Sequence, residues 1–271
     1  MNIVVCVKAV PSTTEVKMDP KTNTIVRDGK QSVVNPFDAS ALEVALSLKD
    51  ERAAAGLDTR VTCVSMGIPA TERLLRDCVA RGADAGLLLS DRAFAGADTL
   101  ATAYALTCGI RALPAAPDLI VCGKMAVDGD TAQIGPELAG AFGVPCVAGV
   151  TEVVSLDDGT GGAGAALTLR RDSDEGSELV RVCLPCVITV SKDVATLRMP
   201  SISGVRAGEA AQIDVLTAET SGADAARCGL TGSPTQVVRS FVPEREHVSE
   251  RIEGTAAEQA ARLADIVRGM E

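Results

Sequence analysis

Four short apolar runs, at residues 3–7, 61–66, 87–89 and 119–122, alternate with stretches whose apolar residues recur at helical spacing, and this alternation leaves few architectures open. Strands separated by helices pair in parallel, with right-handed crossovers that carry the helices over the sheet. The helical stretches carry their own punctuation. Leu42, Ala45, Leu46 and Lys49 follow Asn35-Pro36-Phe37-Asp38, where Asn35 suits a cap, Pro36 the first helical position and Asp38 the first turn. Leu74, Leu75, Cys78 and Val79 form a stripe that ends at Gly82, and Leu100, Ala103, Thr107 and Ile110 form another that opens near Asp98.

After residue 150 the pattern changes. Residues 150–156, 165–171 and 178–183 read as strands joined by turn-rich segments at 157–164 and 172–177, which points to antiparallel pairing as an addition to the same sheet. Residues 191–233 are rich in Gly, Ser, Thr and Ala, so the expectation there is a long connection and arm with little local structure. Residues 258–267 resume a helical stripe through Ala261, Leu263, Ala264 and Val267. The expected fold is α/β: a mostly parallel, doubly wound nucleotide-binding sheet with an antiparallel extension and a long C-terminal arm, the arm packing on another chain.

Composition narrows the function classes. A net charge of -10 over 271 residues, with no basic cluster, argues against a nucleic-acid surface, which needs gathered Lys and Arg. No apolar run reaches membrane-spanning length, and the amino terminus enters a strand at residues 2–7 without a secretory pattern, so the chain reads as cytoplasmic, without membrane insertion. Of nine cysteines, Cys6, Cys63, Cys78, Cys122 and Cys146 sit in apolar contexts and read as small core residues. Cys183-Leu184-Pro185-Cys186 has redox-pair spacing, but a strand at 187–190 follows it where a thioredoxin-type pair opens a helix. No second such pair is present and the single histidine, His247, lies among charged residues, so no metal site is expected.

The stretch Asp118-Leu119-Ile120-Val121-Cys122-Gly123, followed by Val127-Asp128-Gly129-Asp130-Thr131-Ala132-Gln133-Ile134-Gly135-Pro136-Glu137, reads as strand, loop and helix start. Open α/β sheets bind nucleotides at such places, because helix N-termini offer unpaired N–H groups. Two readings stand side by side. In one, Asp130 and Gln133 form a capping box and nothing more. In the other, Gly129 and Gly135 let a ligand approach the backbone, Thr131 adds a hydroxyl, and the N–H groups of residues 131–134 face a phosphate. Pro136 removes one donor, so the helix starts late or its first turn is distorted. Asp128 and Asp130 repel phosphate and suit ribose, adenine or backbone donors. No nucleophile and base pair stands out, so no catalytic residue is assigned.

Several separated motifs add to this. Val5-Cys6-Val7-Lys8-Ala9-Val10-Pro11, Arg27-Asp28-Gly29, Asn35-Pro36-Phe37-Asp38, Arg81-Gly82-Ala83-Asp84, the Gly123 to Glu137 stretch, Leu184-Pro185-Cys186-Val187-Ile188-Thr189-Val190 and Gly232-Ser233-Pro234-Thr235-Gln236-Val237 resemble, in the same order, the beta subunit of electron transfer flavoproteins. The resemblance implies a heterodimer with an alpha subunit that carries the redox-shuttling FAD. The beta pocket of this family holds AMP in ordinary carriers of electrons from dehydrogenases and a second FAD in electron-bifurcating ones. Ser90-Asp91-Arg92-Ala93-Phe94-Ala95-Gly96-Ala97-Asp98-Thr99-Leu100-Ala101-Thr102 resembles the bifurcating and nitrogen-fixation-linked branch. That branch takes hydride from NADH and divides the electrons. One goes to the alpha FAD and an acyl-CoA dehydrogenase or quinone, the other to ferredoxin or flavodoxin.

Carried onto this chain, the resemblance places nucleotide contacts at Cys6, Asn35, Phe37, Asp38, Met66, Ala126, Val127, Asp128, Gly129, Asp130, Thr131, Ala132, Gln133, Ile134 and Gly135. It places Asp98, Thr99 and Thr102 towards the flavin ring or NADH. Residues 1–190 would form the nucleotide domain and 191–227 a partner-facing loop and linker, with Val194, Leu197 and Met199 as apolar docking contacts for a dehydrogenase. Residues 228–271 would be the arm on the alpha subunit. Met125 and Ala9 stand where the family often has Gln, and with no Trp and one Tyr the chain has few aromatics to stack on a flavin. Two other classes share the architecture: a stand-alone adenine-nucleotide regulator, which needs no long arm, and an ATP-dependent amide-forming enzyme, whose pyrophosphate loop is missing where Lys8-Ala9-Val10-Pro11 stands.

Overall fold

The computed structural model describes residues 1–12, 32–159, 164–238, 249 and 251–269. The Arg27-Asp28-Gly29 motif and His247 lie outside the described residues. Two compact units are present, Met1–Gln236 and Val237–Glu271. In the first, the described strands are β1 (Asn2–Cys6), β2 (Ala9–Pro11), β3 (Ser32–Val34), β4 (Arg60–Met66), β5 (Ala85–Leu89), β6 (Leu119–Gly123), β7 (Cys146–Asp157), β8 (Ala166–Ser173), β9 (Gly176–Cys183), β10 (Cys186–Val190) and β11 (Asp214–Leu216). Its helices are α1 (Pro36–Ala54), α2 (Glu72–Ala80), α3 (Thr99–Arg111), α4 (Ile134–Phe142) and α5 (Ile202–Ala210).

Nine strands form one sheet in the order β11-β5-β4-β1-β6-β10-β7-β8-β9. Pairing is parallel from β11 to β7 and antiparallel for β7-β8-β9. The expected doubly wound sheet with an antiparallel addition is therefore what the chain forms. Its layers follow from the side-chain alternation of a strand. Ile3 and Val5 point into a core shared with Leu42, Leu46 and Leu75, while Val4 and Cys6 point into the opposite core with Leu106, Ile110 and Leu138. Burial on both faces is why β1 reads as an unbroken apolar run.

β1 pairs with β4 on one side and β6 on the other. The chain moves outward from β1 through β4 to β5, then crosses back to β6 beyond the starting strand. In doubly wound sheets such a reversal opens a crevice outside the carboxyl ends of the strands that flank it, here β1 and β6, and ligands are taken there.

Four local expectations are corrected. Asn35 occupies the cap position of α1 with Pro36 next to it, yet its side chain makes no cap bond, because both ends of the amide are used elsewhere. The Asp130–Gln133 capping box does not form: α4 begins at Ile134 with Gln133 as an uncapped boundary, which is the late start that Pro136 requires. Leu100 is 52% exposed and lines a shallow cleft with Tyr104, Arg227 and Pro234, while Ala103, Thr107 and Ile110 turn inward together with Ala105 and Leu106. The segment after residue 190 is not structureless. It contains α5 and the edge strand β11, and the small residues that made it look like a linker let α5 lie close to α2, with Gly204 facing the Ala80 carbonyl and Gly208 the Arg76 carbonyl.

The second unit contains α6 (Ala256–Arg268), which opens with a full capping box between Thr255 and Glu258 and has no buried residue. Leu263 and Val267 stand exposed on it. No helix among the described residues is long and apolar enough to cross a membrane.

Candidate functional site

The crevice is built by ties between chain segments that are distant in sequence. The Asp38 carboxylate accepts the Lys8 N–H at 2.7 Å and the Gly123 N–H at 3.2 Å, so one side chain from the first turn of α1 joins the residues leaving β1 and β6. Asn35 adds a second clamp. Its Nδ2 donates to the Met125 carbonyl at 2.8 Å, its Oδ1 accepts the Val127 N–H at 3.2 Å, and its own N–H donates to the Lys8 carbonyl. Asn35 is fully buried and Asp38 nearly so. Burial pushes the Asp38 carboxyl up to about 7, against the opposing effect of Asn35, the two N–H donors and the Lys8 charge.

Gly123 must be glycine here. A Cβ on it would stand 2.6 Å from Phe37 Cβ and against the Asp38 carboxylate. The loop that follows leaves the strand through Lys124 and turns back at Ala126, whose carbonyl accepts the N–H groups of Gly129 and Asp130. Asp128 lies under this turn and pairs with Lys8, Nζ to Oδ1, at 2.5 Å.

Two residues of the loop, Asp130 (φ 47) and Ala132 (φ 55), hold the left-handed conformation without being glycine. For alanine this costs about 1 kcal/mol, so the surrounding structure imposes it. Left-handed Ala132 followed by right-handed Gln133 is the alternation that turns successive N–H groups towards one side, the geometry of an anion-binding nest. The first N–H groups of α4, at Ile134 and Gly135, have no partner within the helix and continue that row. Thr131, Ala132 and Gln133 are exposed along it.

The two loop glycines differ. Gly129 is exposed, and a Cβ there would meet only the Lys8 ammonium at 3.9 Å, leaving the backbone open to a ligand. Gly135 is buried, and a Cβ there would run into Thr189 Cγ2 on β10, so its small size serves the packing of α4 on the sheet.

The other predicted residues take definite places. Cys6 ends β1, buried, and Met66 ends β4, half-buried against the same core. Asp98 caps α3 by accepting the Ala101 N–H at 3.0 Å, and it also accepts the Thr235 N–H and hydroxyl at 3.1 and 2.8 Å. Partial burial pushes this carboxyl up, but those donors outweigh it and hold Asp98 below the usual range. Thr99 shares its hydroxyl between Glu137 Oε1 at 3.1 Å and Gln133 Oε1 at 3.2 Å, which brings α3 and α4 together, while Thr102 is half-buried one turn on.

Sequence reasoning did not single out Glu137 and Lys8. Burial raises the Glu137 carboxyl, the Thr99 hydroxyl lowers it and the Asp98 charge raises it again; its Oε2 is buried with no hydrogen-bond partner. The two neighbouring carboxyls, Asp98 and Glu137, are thus pushed in opposite directions. The signal for Lys8 was available: an acidic loop beside the first strand needs a cation, and Lys8 is the first charged residue after that strand.

Of the docking residues, Val194 and Leu197 pack on the chain's own first core, and Met199 is 83% exposed. Arg198 holds the segment on α1 by paired bonds to Glu43, Nη2 to Oε1 at 2.7 Å and Nε to Oε1 at 3.0 Å, and by one to Asp50. At the Cys183–Cys186 corner both thiols are free, and burial with two neighbouring thiols pushes Cys186 up to about 12, far from the thiolate that exchange chemistry needs.

Residues 22–220 match the electron transfer flavoprotein domain, which covers most of the chain. The chain belongs to the electron transfer flavoprotein family. Relatives named electron transfer flavoprotein subunit beta are among its matches. It is 42% identical over 248 residues to the electron transfer flavoprotein subunit beta of Megasphaera elsdenii, covering 90% of this chain and 88% of that one. It is 41% identical over 261 residues to the caffeyl-CoA reductase-Etf complex subunit CarD of Acetobacterium woodii, covering 96% and 95%. It is 38% identical over 247 residues to protein FixA of Azorhizobium caulinodans, covering 90% and 85%. A flavoprotein family gives the carboxyl ends of β1 and β6 a chemical context, and the nest and open Gly129 backbone suit an anion such as a phosphate.

Proposed function

We propose that this chain is the beta subunit of a heterodimeric electron transfer flavoprotein of the bifurcating kind, with an FAD in the crevice at the carboxyl ends of β1 and β6. The observation that carries the reading is the 41% identity, over 96% of the chain, to a subunit of a caffeyl-CoA reductase-Etf complex. The nest at Ala132–Gln133 and the cation of Lys8 fit a nucleotide's phosphates, and the partnerless buried oxygen of Glu137 fits a site completed by another group.

FAD, when bound, supplies acceptance of hydride from NADH and release of electrons singly towards the alpha-subunit flavin and towards ferredoxin or flavodoxin. The chain's own residues bind and orient. Asn35 and Asp38 fix the loop against both strand ends, residues 126–135 hold the adenosine and phosphates, and Cys6, Phe37 and Met66 form the floor. Asp98, Thr99 and Thr102 stand at the far end with Glu137, which holds a proton more readily than an ordinary glutamate. The alpha subunit covers the crevice and receives the C-terminal arm, and Met199 meets an acyl-CoA or related dehydrogenase.

The test is to release and count the nucleotides of the purified assembly. Two FAD per heterodimer, one of them reduced by NADH, is the expected result. One FAD with one AMP overturns the bifurcating reading in favour of an ordinary carrier, and a flavin-free monomer overturns both. Met199→Glu should weaken reduction by the partner dehydrogenase by roughly tenfold, the usual effect of removing one apolar anchor from an interface, without dissociating the heterodimer. An unchanged rate removes Met199 from the docking surface.

A further inference from the structure

We propose that Lys8 reads the phosphate charge of the bound nucleotide, and that Asp128 holds the lysine in reserve and thereby sets how tightly phosphate-bearing ligands bind; this rests on the reading of the crevice as a nucleotide site. The root of Lys8 is fixed, since its N–H is held by Asp38 and its carbonyl by Asn35. From that root the side chain reaches the loop, where Nζ pairs with Asp128 Oδ1 at 2.5 Å. The pair is unequal: the Asp128 side chain is 5% exposed and that of Lys8 40%. The carboxylate is therefore committed to the interior, and the ammonium, with three donors, faces outward beside the open backbone of Gly129.

Charge balance shows why such a group is needed. The loop carries Asp128 and Asp130, and the whole chain has a net charge of -10, so a phosphate approaching the nest meets repulsion. Lys8 sets a positive charge beside the Asp128 carboxylate, and its ammonium keeps donors for a second acceptor. A nucleotide phosphate and Asp128 then compete for one ammonium. A nucleoside, lacking the phosphate, does not enter that competition.

Two substitutions separate this from a loop clip, because they move affinity in opposite directions. AMP and adenosine are titrated calorimetrically onto the full chain stripped of nucleotide, at two salt concentrations. Losing one charge-assisted bond to phosphate weakens binding by roughly 10- to 100-fold. Lys8→Gln should weaken AMP by that factor, leave adenosine within about twofold, and flatten the salt dependence of AMP binding. Asp128→Asn should strengthen AMP several-fold, since it frees the ammonium. If Lys8→Gln weakens AMP and adenosine equally, or Asp128→Asn weakens AMP, the pair is only a clip and the proposal fails. If Asp128→Asn does not fold, the AMP-to-adenosine ratio and salt slope of Lys8→Gln still decide. A folded native chain that binds neither ligand overturns the nucleotide site itself, a different result from binding both without discrimination.

Discussion

Gly123→Ala should destabilise the first unit by about 3 kcal/mol and distort the crevice, although it adds a single methyl group. The new Cβ would stand 2.6 Å from Phe37 Cβ and 2.8 Å from the Phe37 carbonyl carbon, and it would press on the Asp38 carboxylate. Two of those neighbours belong to the first turn of α1 and cannot rotate away. Relief requires moving either the end of β6 or the start of α1, and both are held by Asp38. The crevice therefore loses its shape together with its stability. Gly129→Ala is the control, because its Cβ would make ordinary contact with one flexible lysine; its stability should stay within about 0.5 kcal/mol of the native chain. Urea midpoints of the two variants check the contrast, and equal midpoints would refute the steric account.

The second large effect is a dependence on pH. The Asp38 carboxyl is raised by burial to about 7 in the folded chain, while in the unfolded chain it titrates near its ordinary 3.8. Between these values the folded chain keeps a proton that the unfolded chain has released, so stability falls as pH rises through that window and levels off above it. The full span corresponds to roughly 4 kcal/mol. Asp38→Asn cannot titrate. It also places an amide N–H against one of two backbone donors, costing about 1–3 kcal/mol. Near pH 5 the variant should be clearly weaker than the native chain, and by pH 8 the gap should have narrowed or reversed. Chemical unfolding at the two pH values measures this; a gap that does not change with pH would mean that Asp38 stays ionised, held by the Lys8 and Gly123 N–H groups.

Most of the sheet could be read from the chain because β1, β4, β5 and β6 are buried on both faces, and burial of that kind writes continuous apolar runs. The start of α3 was equally plain, since Asp98 does what an aspartate before a helix ordinarily does. The errors have physical causes. Asn35 has the right identity and position for a cap, but the loop from Met125 to Val127 offers its amide better-buried partners. Asp130 and Gln133 have capping-box spacing, and the left-handed turn at Ala132 takes the first out of range. α5 escaped notice because Gly204 and Gly208, which weaken a helix taken alone, are what allow it to approach the backbone of α2. Within the site, the loop was legible from its glycines and hydroxyls. The roles of Lys8 and Glu137 were not, because each depends on a partner 120 or 38 residues away.

The insertion of β10 between β6 and β7 bears on how the protein is made. Both neighbours leave the ribosome first, and neither can satisfy its open edge until residues 186–190 arrive. β6 is also the strand whose end is tied to α1 through Asp38, so a nascent chain shorter than about 190 residues exposes the hydrogen-bonding edge of that strand. Any chain cut short before that point should be recognised by the cell's quality control as an unpaired strand.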